Sequence, residues 1–512
     1  MAYPLWGRIT AVPDTATLTI EFYDGWWLQD GAGTPAFIDI STQMWFMGAF
    51  FEASDKSVVE WPQTCCFFEE RLFLGATSLA PDILYGSRTG SIDDFDIFSA
   101  FDSPPTQPAQ LAAGGLVSRF LPPNPQSEVL ATSALTIGIS GSEVAEIQWI
   151  RPVQASLIAG TTRSVYQLIA VGENKIFGPT ESISSRPTNA IGSTRIGSVA
   201  LRDRLYFLLP SEERLFMISY RLTQDSYVAQ EVSLFNPDIL AEGVKGAATS
   251  MDPEPVYWAI TRDNKLVGIT IDADQRVYAW HEHEIAGTDV EIESVAAIPD
   301  LDEGADQIWL VVNRTINGVT VRTIEYIQTP FEANDSGSAQ HFVDGGVIDF
   351  TNTTTIANLG HLEGEEVAAI GDGAYLGLFT VSGGQITIPD SYVEVHAGLL
   401  YTAEMQTTPI VVNDPQGSSF GKRQRAAIVN IYMVRSIGGE VAAGPPADLR
   451  WRPISQRTGI MPIGVALDPQ TDIYNVGIEG MMTRSLVGAY RNRVPFNAEI
   501  ACMSVHLDSS SR

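Results

Sequence analysis

Five stretches of this sequence repeat one pattern: a short apolar strand, a polar turn and a second apolar strand, which is the signature of a β-hairpin. They are FFEERLFLGATSLAPDILYGS around Phe73, IQWIRPVQASLIAGTTRSVYQL around Ile158, VALRDRLYFLLPSEERLFMISY around Phe207, EPVYWAITRDNKLVGITID around Trp258 and DQIWLVVNRTINGVTVRTIEYI around Trp309. The last three intervals are 49, 51 and 51 residues. The first is 85, but falls to 59 once the 26-residue Pro-rich stretch Ser103 to Glu128 is taken out. A period near 50 with about four strands per unit is what a β-propeller blade requires, because radial stacking covers both faces of each sheet. Unrelated β-sandwiches sharing hairpins are the alternative.

The expected fold is therefore all-β, a β-propeller of five to seven blades with an additional β-rich platform or barrel region. Phe73, Phe207, Trp258 and Trp309 are expected on strands packed between blades. The sixth and seventh blades are sought around WFMGAF (Trp45 to Phe50) and HLEGEEVAAIGDG, from His361. The expected domains are N-terminal strands over 1–50, a propeller over 51–345 with the Pro-rich insertion at 103–128, and a C-terminal β-rich platform over 346–512. His361 to Pro389 reads as three short strands joined by Gly turns at Gly371–Gly373 and Gly383–Gly384. Four later segments, RAAIVNIYMVRS, ADLRWRPIS, DIYNVGIEG and AEIACMSVHL, alternate with the period of two of half-buried strands. The N-terminal strands (Arg8 to Phe22) are expected to pack with that platform, because both lie outside the repeat and need sheet partners. Four Pro-containing clusters cannot sit in a central strand, so the insertion is expected to project as a loop.

With 61 acidic against 31 basic residues the net charge is −30, which disfavours nucleic-acid and anionic-membrane binding. The densest basic cluster, GKRQR (Gly421 to Arg425), reads as a solvated strand end. No basic-then-apolar leader opens MAYPLWGRIT, and no run of about 18 apolar residues predicts a transmembrane helix. Cys65 and Cys66 point to opposite strand faces, and with Cys502 they read as reduced core thiols made in a cytoplasm. The triplets at Asn313, Asn334 and Asn352 then carry no glycosylation reading.

No catalytic, cofactor-binding or metal residue is assigned. His281 and His283 of HEHE share a strand face at a spacing found in zinc sites, but no third ligand is signalled nearby. A surface strand after a buried Trp280 is the expectation. DLDEGADQ (Asp300 to Gln307) resembles a calcium loop only faintly, since the closing Glu is missing, and reads as a solvated loop. A glycosidase needs two carboxyls facing one pocket, whereas Glu69–Glu70 and Asp93–Asp94 diverge if they lie on strands. No nucleophile elbow, phosphate loop or dinucleotide fingerprint is present.

WFMGAF, CFFEERLFLGATSLAPDILYGSRTGSIDDF and EIQWIRP…LIAGTTRSVYQL occur in this order. They are followed by YRLTQDSYVAQEVSLFNPDIL, EPVYWAITRDNKLVGITID, VYAWHEHEIAG and QIWLVVNRTINGVTVRTIEYI. The series resembles the nozzle proteins, also called tail tubular protein B, of short-tailed bacteriophages. The resemblance covers about residues 45 to 330 well and the C-terminal third loosely. It implies a structural virion protein made in the host bacterial cytoplasm, without catalytic residues or cofactors. It also implies a homohexameric ring below the portal and adaptor, meeting tail fibres or spikes and enclosing the channel through which genomic DNA is ejected without specific binding. Arg71, Arg88, Asp93 and Asp94 would then be blade ion pairs. Only 44 residues precede WFMGAF, fewer than in many members, which implies that part of the N-terminal platform is absent or supplied by another chain. The competing functions are a monomeric interaction scaffold and a carbohydrate-active propeller enzyme.

Overall fold

The computed structural model describes residues 7–14, 17–22, 62–78, 80–92, 95, 131–139, 145–153, 156–171, 176–221, 226–300, 304–327, 341–414, 417–457 and 466–509. The chain divides into two compact units, Met1–Ala241 and Glu242–Arg512, a boundary inside the 51–345 span. The Pro-rich stretch 103–128, the WFMGAF segment and Asp93–Asp94 lie outside the described residues.

The repeat is real. Its first sheet runs Thr64–Phe68, Arg71–Gly75, Ile83–Gly86 and Leu135–Gly138; its second, Ile147–Val153, Ser156–Thr161, Val165–Val171 and Ser182–Asn189. The third has Val199–Leu201, Arg204–Leu208, Leu215–Arg221 and Ser226–Glu231, and the fourth Val244–Ser250, Val256–Thr261, Leu266–Asp272 and Val277–His283. The fifth has three strands, Glu291–Asp300, Ala305–Ile316 and Val319–Ile327. In all five, each strand hydrogen-bonds to its neighbours in sequence, antiparallel throughout. Phe73, Ile158, Phe207, Trp258 and Trp309 each sit on the second strand of their sheet, so the interval measured in the sequence is the interval between equivalent strands. The long first interval has a topological cause. Gly86 pairs with Leu135 and Ile83 with Gly138, so the third and fourth strands of the first sheet close directly across the connection that carries the insertion.

Stacking explains why these strands are apolar on both faces. Phe73 and Leu84 of the first sheet share a core with Ile150 and Leu157 of the second. The other side of the second sheet, Trp149 and Ile158, shares a core with Leu205 and Phe207 of the third. Every residue of Ser156–Thr161 is consequently buried, which is why that strand reads as a continuous run rather than an alternation. In the second unit, Trp258 and Ile260 of the fourth sheet pack on Ile308 and Leu310 of the fifth. Trp309 is a correction to the expected packing between sheets. Its odd-numbered register turns it away from Ile308 and Leu310, and it lies half-buried beside Tyr326 at 5.2 Å.

Trp258 is 7% exposed and its indole N–H donates to Ser250 Oγ at 3.0 Å. Trp258→Ala should cost about 3–5 kcal/mol in urea unfolding, from lost contacts and the cavity left behind. A loss below about 1 kcal/mol would contradict its core position.

The C-terminal region is β-rich but not repetitive. Glu366–Gly371 and Ala374–Thr380 join Val395–Leu399 and Asp344–Asp349 in a sheet whose spatial order departs from sequence order. HLEGEEVAAIGDG therefore adds no further blade-like unit. Its Gly turns are as expected: Gly383 and Gly384 both have positive φ, 64° and 72°, in the two-residue turn between Ser382 and Gln385. Beyond it, Gln424–Ser436 is flanked by Gln470–Gly477 and Glu499–Ser509. Val429, Ile431 and Met433 on its inner face meet Val441, Ala443 and Tyr490 of a second sheet. Gly7–Asp14 and Thr17–Phe22 pair with each other as a hairpin.

Candidate functional site

Arg71 is the first residue to ask about, because a cation with 0% exposure needs partners. In place of the expected ion pair, its guanidinium donates to three backbone carbonyls: Nη1 to Ser87 (2.6 Å) and Ser133 (2.7 Å), and Nη2 to Ala131 (2.6 Å). Burial holds its pKa below the ordinary arginine value, with the charge of Glu69 acting in the opposite direction. Ser133 and Ala131 lie just before the fourth strand, so Arg71 fastens that strand to the rest of the sheet.

Glu69 and Glu70 do not lie on a strand. They are the two central residues of the turn between Phe68 and Arg71, both left-handed (φ 48° and 59°), where Asn-Gly is the usual choice. Glu69 offsets the strain of the turn by accepting the Phe177 N–H at 2.8 Å. Phe177 in turn meets Phe68 edge-on, with ring centroids 5.2 Å apart. The cysteine expectation needs correcting too: all three are free, but Cys65 and Cys502 are exposed. Only Cys66 faces the core, where burial pushes its thiol up to about 12.

The two histidines of HEHE do share a face. His281 Nδ1 and His283 Nε2 are 2.7 Å apart, and both rings lie against Trp258, at 5.7 and 4.9 Å. Gly268 sits opposite His281, and a Cβ there would come within 2.2 Å of the ring, so the glycine makes the room. The strand is the edge strand of its sheet and none of its residues is fully buried, as expected of a surface strand, with both rings on half-buried positions; Trp280, expected buried, is half-buried too. Burial lowers the His281 pKa; burial and then the His281 charge lower that of His283 to about 4. A second imidazole contact is His341 stacked on His396 at 3.9 Å. The His396 pKa is also held down by burial and by the neighbouring ring, against the opposing pull of Glu394.

These groups are depressed in the folded state, so the unfolded chain binds more protons. Stability should be full above pH about 6.5, the ordinary imidazole value, and fall as pH drops towards about 4. Asp344 acts with the opposite sign: raised from 3.8 to about 6, its contribution is present below 3.8 and lost as pH rises through 6. Three imidazoles outweigh one carboxyl. Melting temperature should drop by several degrees between pH 7 and 4.5, and His283→Phe should flatten that slope; an unchanged slope would refute the assignment.

One ionisable cluster carries no signal in the sequence, because its members lie far apart in the chain. Arg314, 3% exposed, grips Glu325 with both terminal nitrogens, while its Nε donates to the Ala286 carbonyl at 2.7 Å. The N–H of the same Ala286 donates to Asp344 Oδ2 at 2.7 Å. Gly287 has φ +130°, and a Cβ there would meet Arg314 Cδ at 2.8 Å, so the turn needs glycine for both backbone and space. Burial pushes the Glu325 carboxyl up, but hydrogen bonds from Arg314 and Thr323 outweigh it and the net shift is downward. Burial raises Asp344, opposed by the Ala286 hydrogen bond and Arg314 and reinforced by Glu325 and Glu284. Two carboxyls with separated pKa values are what acid–base chemistry requires. Here Glu325 has both oxygens committed to Arg314, and Asp344 is committed to the backbone.

The other sequence candidates resolve simply. Asp300 and Ala305 pair at the ends of a hairpin, Gln307 Nε2 donates to Asp300 Oδ2 and the Gly304 N–H donates to the Asp300 carbonyl, so the described part of DLDEGADQ is two strand ends meeting at a turn. Lys422, Arg423 and Arg425 are exposed where the Gln424–Ser436 strand begins. Among the described residues, no three His, Cys, Asp or Glu side chains converge to hold a metal ion. No helix there is long and apolar enough to cross a membrane. A cavity of about 150 Å³ lies among Phe342, Tyr401, Asn492 and Phe496. That is below the usual size of a small-molecule site.

No protein-family model matches the chain. No curated protein matches it either. Among solved structures it is similar to a luciferin-regenerating enzyme (10% identity, TM-score 0.20, covering 49% of this chain and 84% of that one). It is also similar to the N-terminal domain of Nup159 (8%, 0.27, 84% and 89%). A third is an engineered GH43 glycoside hydrolase with endo-xylanase and exo-arabinofuranosidase activity (11%, 0.24, 85% and 98%). Likenesses this distant identify neither a family nor an activity.

Proposed function

We propose that this protein is a structural component of a bacteriophage tail, a nozzle-like subunit whose copies form a ring, with six as the expected number. The ring would enclose the DNA ejection channel below the portal and adaptor. The observation that carries the reading is the order of the nozzle-like segments. Apart from Trp45 to Phe50, each contributes strands to the repeated sheets, taken in turn from the first to the fifth. The reading assigns no catalytic role and takes tail adaptor and fibre or spike proteins as neighbours in the virion.

Charge supplies the mechanism. A ring of six carries roughly six times the −30 of one chain, so its contacts must be large, several thousand Å² in all, and its surplus acids must lie away from them. Basic walls would grip duplex DNA through counterion release, whereas an acidic wall lets it slide. Asp and Glu should therefore outnumber Lys and Arg on the channel wall, and duplex affinity should be negligible at physiological salt. Submicromolar binding there would overturn the conduit mechanism. Light scattering on the purified chain tests the ring itself. A mass several times 55.6 kDa supports it, and 55.6 kDa at every concentration favours a monomeric interaction scaffold.

A further inference from the structure

The C-terminal sheet has one face in the core and one in solvent, and the solvent face has an unusual composition for this chain. Tyr432 pairs with Ile473 on one side and Cys502 on the other, forming a row across all three strands. The next row is Asn475, Asn430 and Ser504. In the third, Ile428 lies between Gly477 and His506. None of these nine positions is Asp, Glu, Lys or Arg, in a chain with 92 such residues. Ile473 is 58% exposed, Ile428 39% and Tyr432 38%. Charges begin at the margins: the Arg435–Glu499 ion pair (3.1 Å) at one end, and the Arg452–Glu479 pair (3.1 Å) beyond Gly477 at the other.

A charge-free centre with Tyr and Ile and charges at its margins is the anatomy of a protein–protein contact. The net charge selects the occupant. Two copies each carrying −30 repel wherever their acids face one another, so self-association must use a surface from which acids are missing. We propose that the outer face of this sheet, centred on Tyr432, is a docking surface for a second copy of this chain. The proposal rests on the ring reading and assigns one of its contacts. Sheet-on-sheet or sheet-on-loop packing there would bury Tyr432, Ile473 and Cys502 together.

Cys502 is a built-in reporter, and exposed Cys65 in the other unit serves as an internal reference. The unmodified full-length protein is treated with a maleimide over a dilution series, with mass by light scattering and labelling read at each cysteine by peptide mass spectrometry. The expected result is that Cys502 labelling, relative to Cys65, slows by about an order of magnitude as the assembly forms. Tyr432→Glu should shift the mass towards 55.6 kDa while leaving the melting temperature within a few degrees of wild type. Cys502 labelled as fast in the assembly as in the monomer would overturn this surface and leave the ring standing. A monomer at all concentrations would overturn both.

Discussion

Arg71→Met is expected to destabilise the protein by about 4 kcal/mol. Methionine fills most of the volume and removes the buried charge, which returns some desolvation energy. It cannot replace the donors to Ser87, Ser133 and Ala131: two carbonyls lose their partner in a buried site, and the third, at Ala131, loses it at the edge of that site. Each orphaned acceptor costs about 1–3 kcal/mol, and hydrogen bonds from a charged donor are the stronger kind. Arg71→Lys should recover only part of the loss, since one ammonium cannot reach carbonyls spread around a planar fork. Urea unfolding, read as a change in midpoint at constant slope, is the check. A loss under about 1 kcal/mol would mean the Ala131–Ser133 segment is held by something else.

Arg314→Met should cost about 3–5 kcal/mol at pH 7, because it leaves the partly buried Glu325 without its arginine beside Asp344. Removing both partners, Arg314→Met with Glu325→Leu, should cost less than Arg314→Met alone, since no uncompensated charge remains. The loss also has a pH signature. Glu325 is held below its ordinary value in the wild type, so its contribution is present above about pH 4.5 and lost as pH falls. In Arg314→Met the carboxyl has no cation and protonates readily, so wild type and variant should converge in acid. A double substitution costing as much as the single one, or a pH-independent loss, would contradict the pairing.

The repeated sheets were legible in the sequence because a blade-like unit is local: its strands pair with their neighbours along the chain, and the period appears in the spacing of Ile158, Phe207, Trp258 and Trp309. Turn chemistry was legible at Gly383–Gly384 and not at Glu69–Glu70. Acidic residues are poor formers of a left-handed turn, and what holds this one is Phe177, more than 100 residues away. Arg71 was recognisable as a committed residue, but carboxylates can be counted in a sequence, whereas carbonyls that happen to converge cannot. The Arg314 cluster joins positions 286, 314, 325 and 344 through a glycine turn. No periodicity marks such a site. The C-terminal sheets fall outside the repeat for the same reason, since Gln424–Ser436 pairs with a strand that begins at Glu499.

Electron-microscopic class averages of the purified full-length protein test the central claim most directly. The account predicts closed rings of identical subunits around an axial channel wide enough to pass duplex DNA. Isolated particles of single-chain size, with no ring at any concentration, would contradict it.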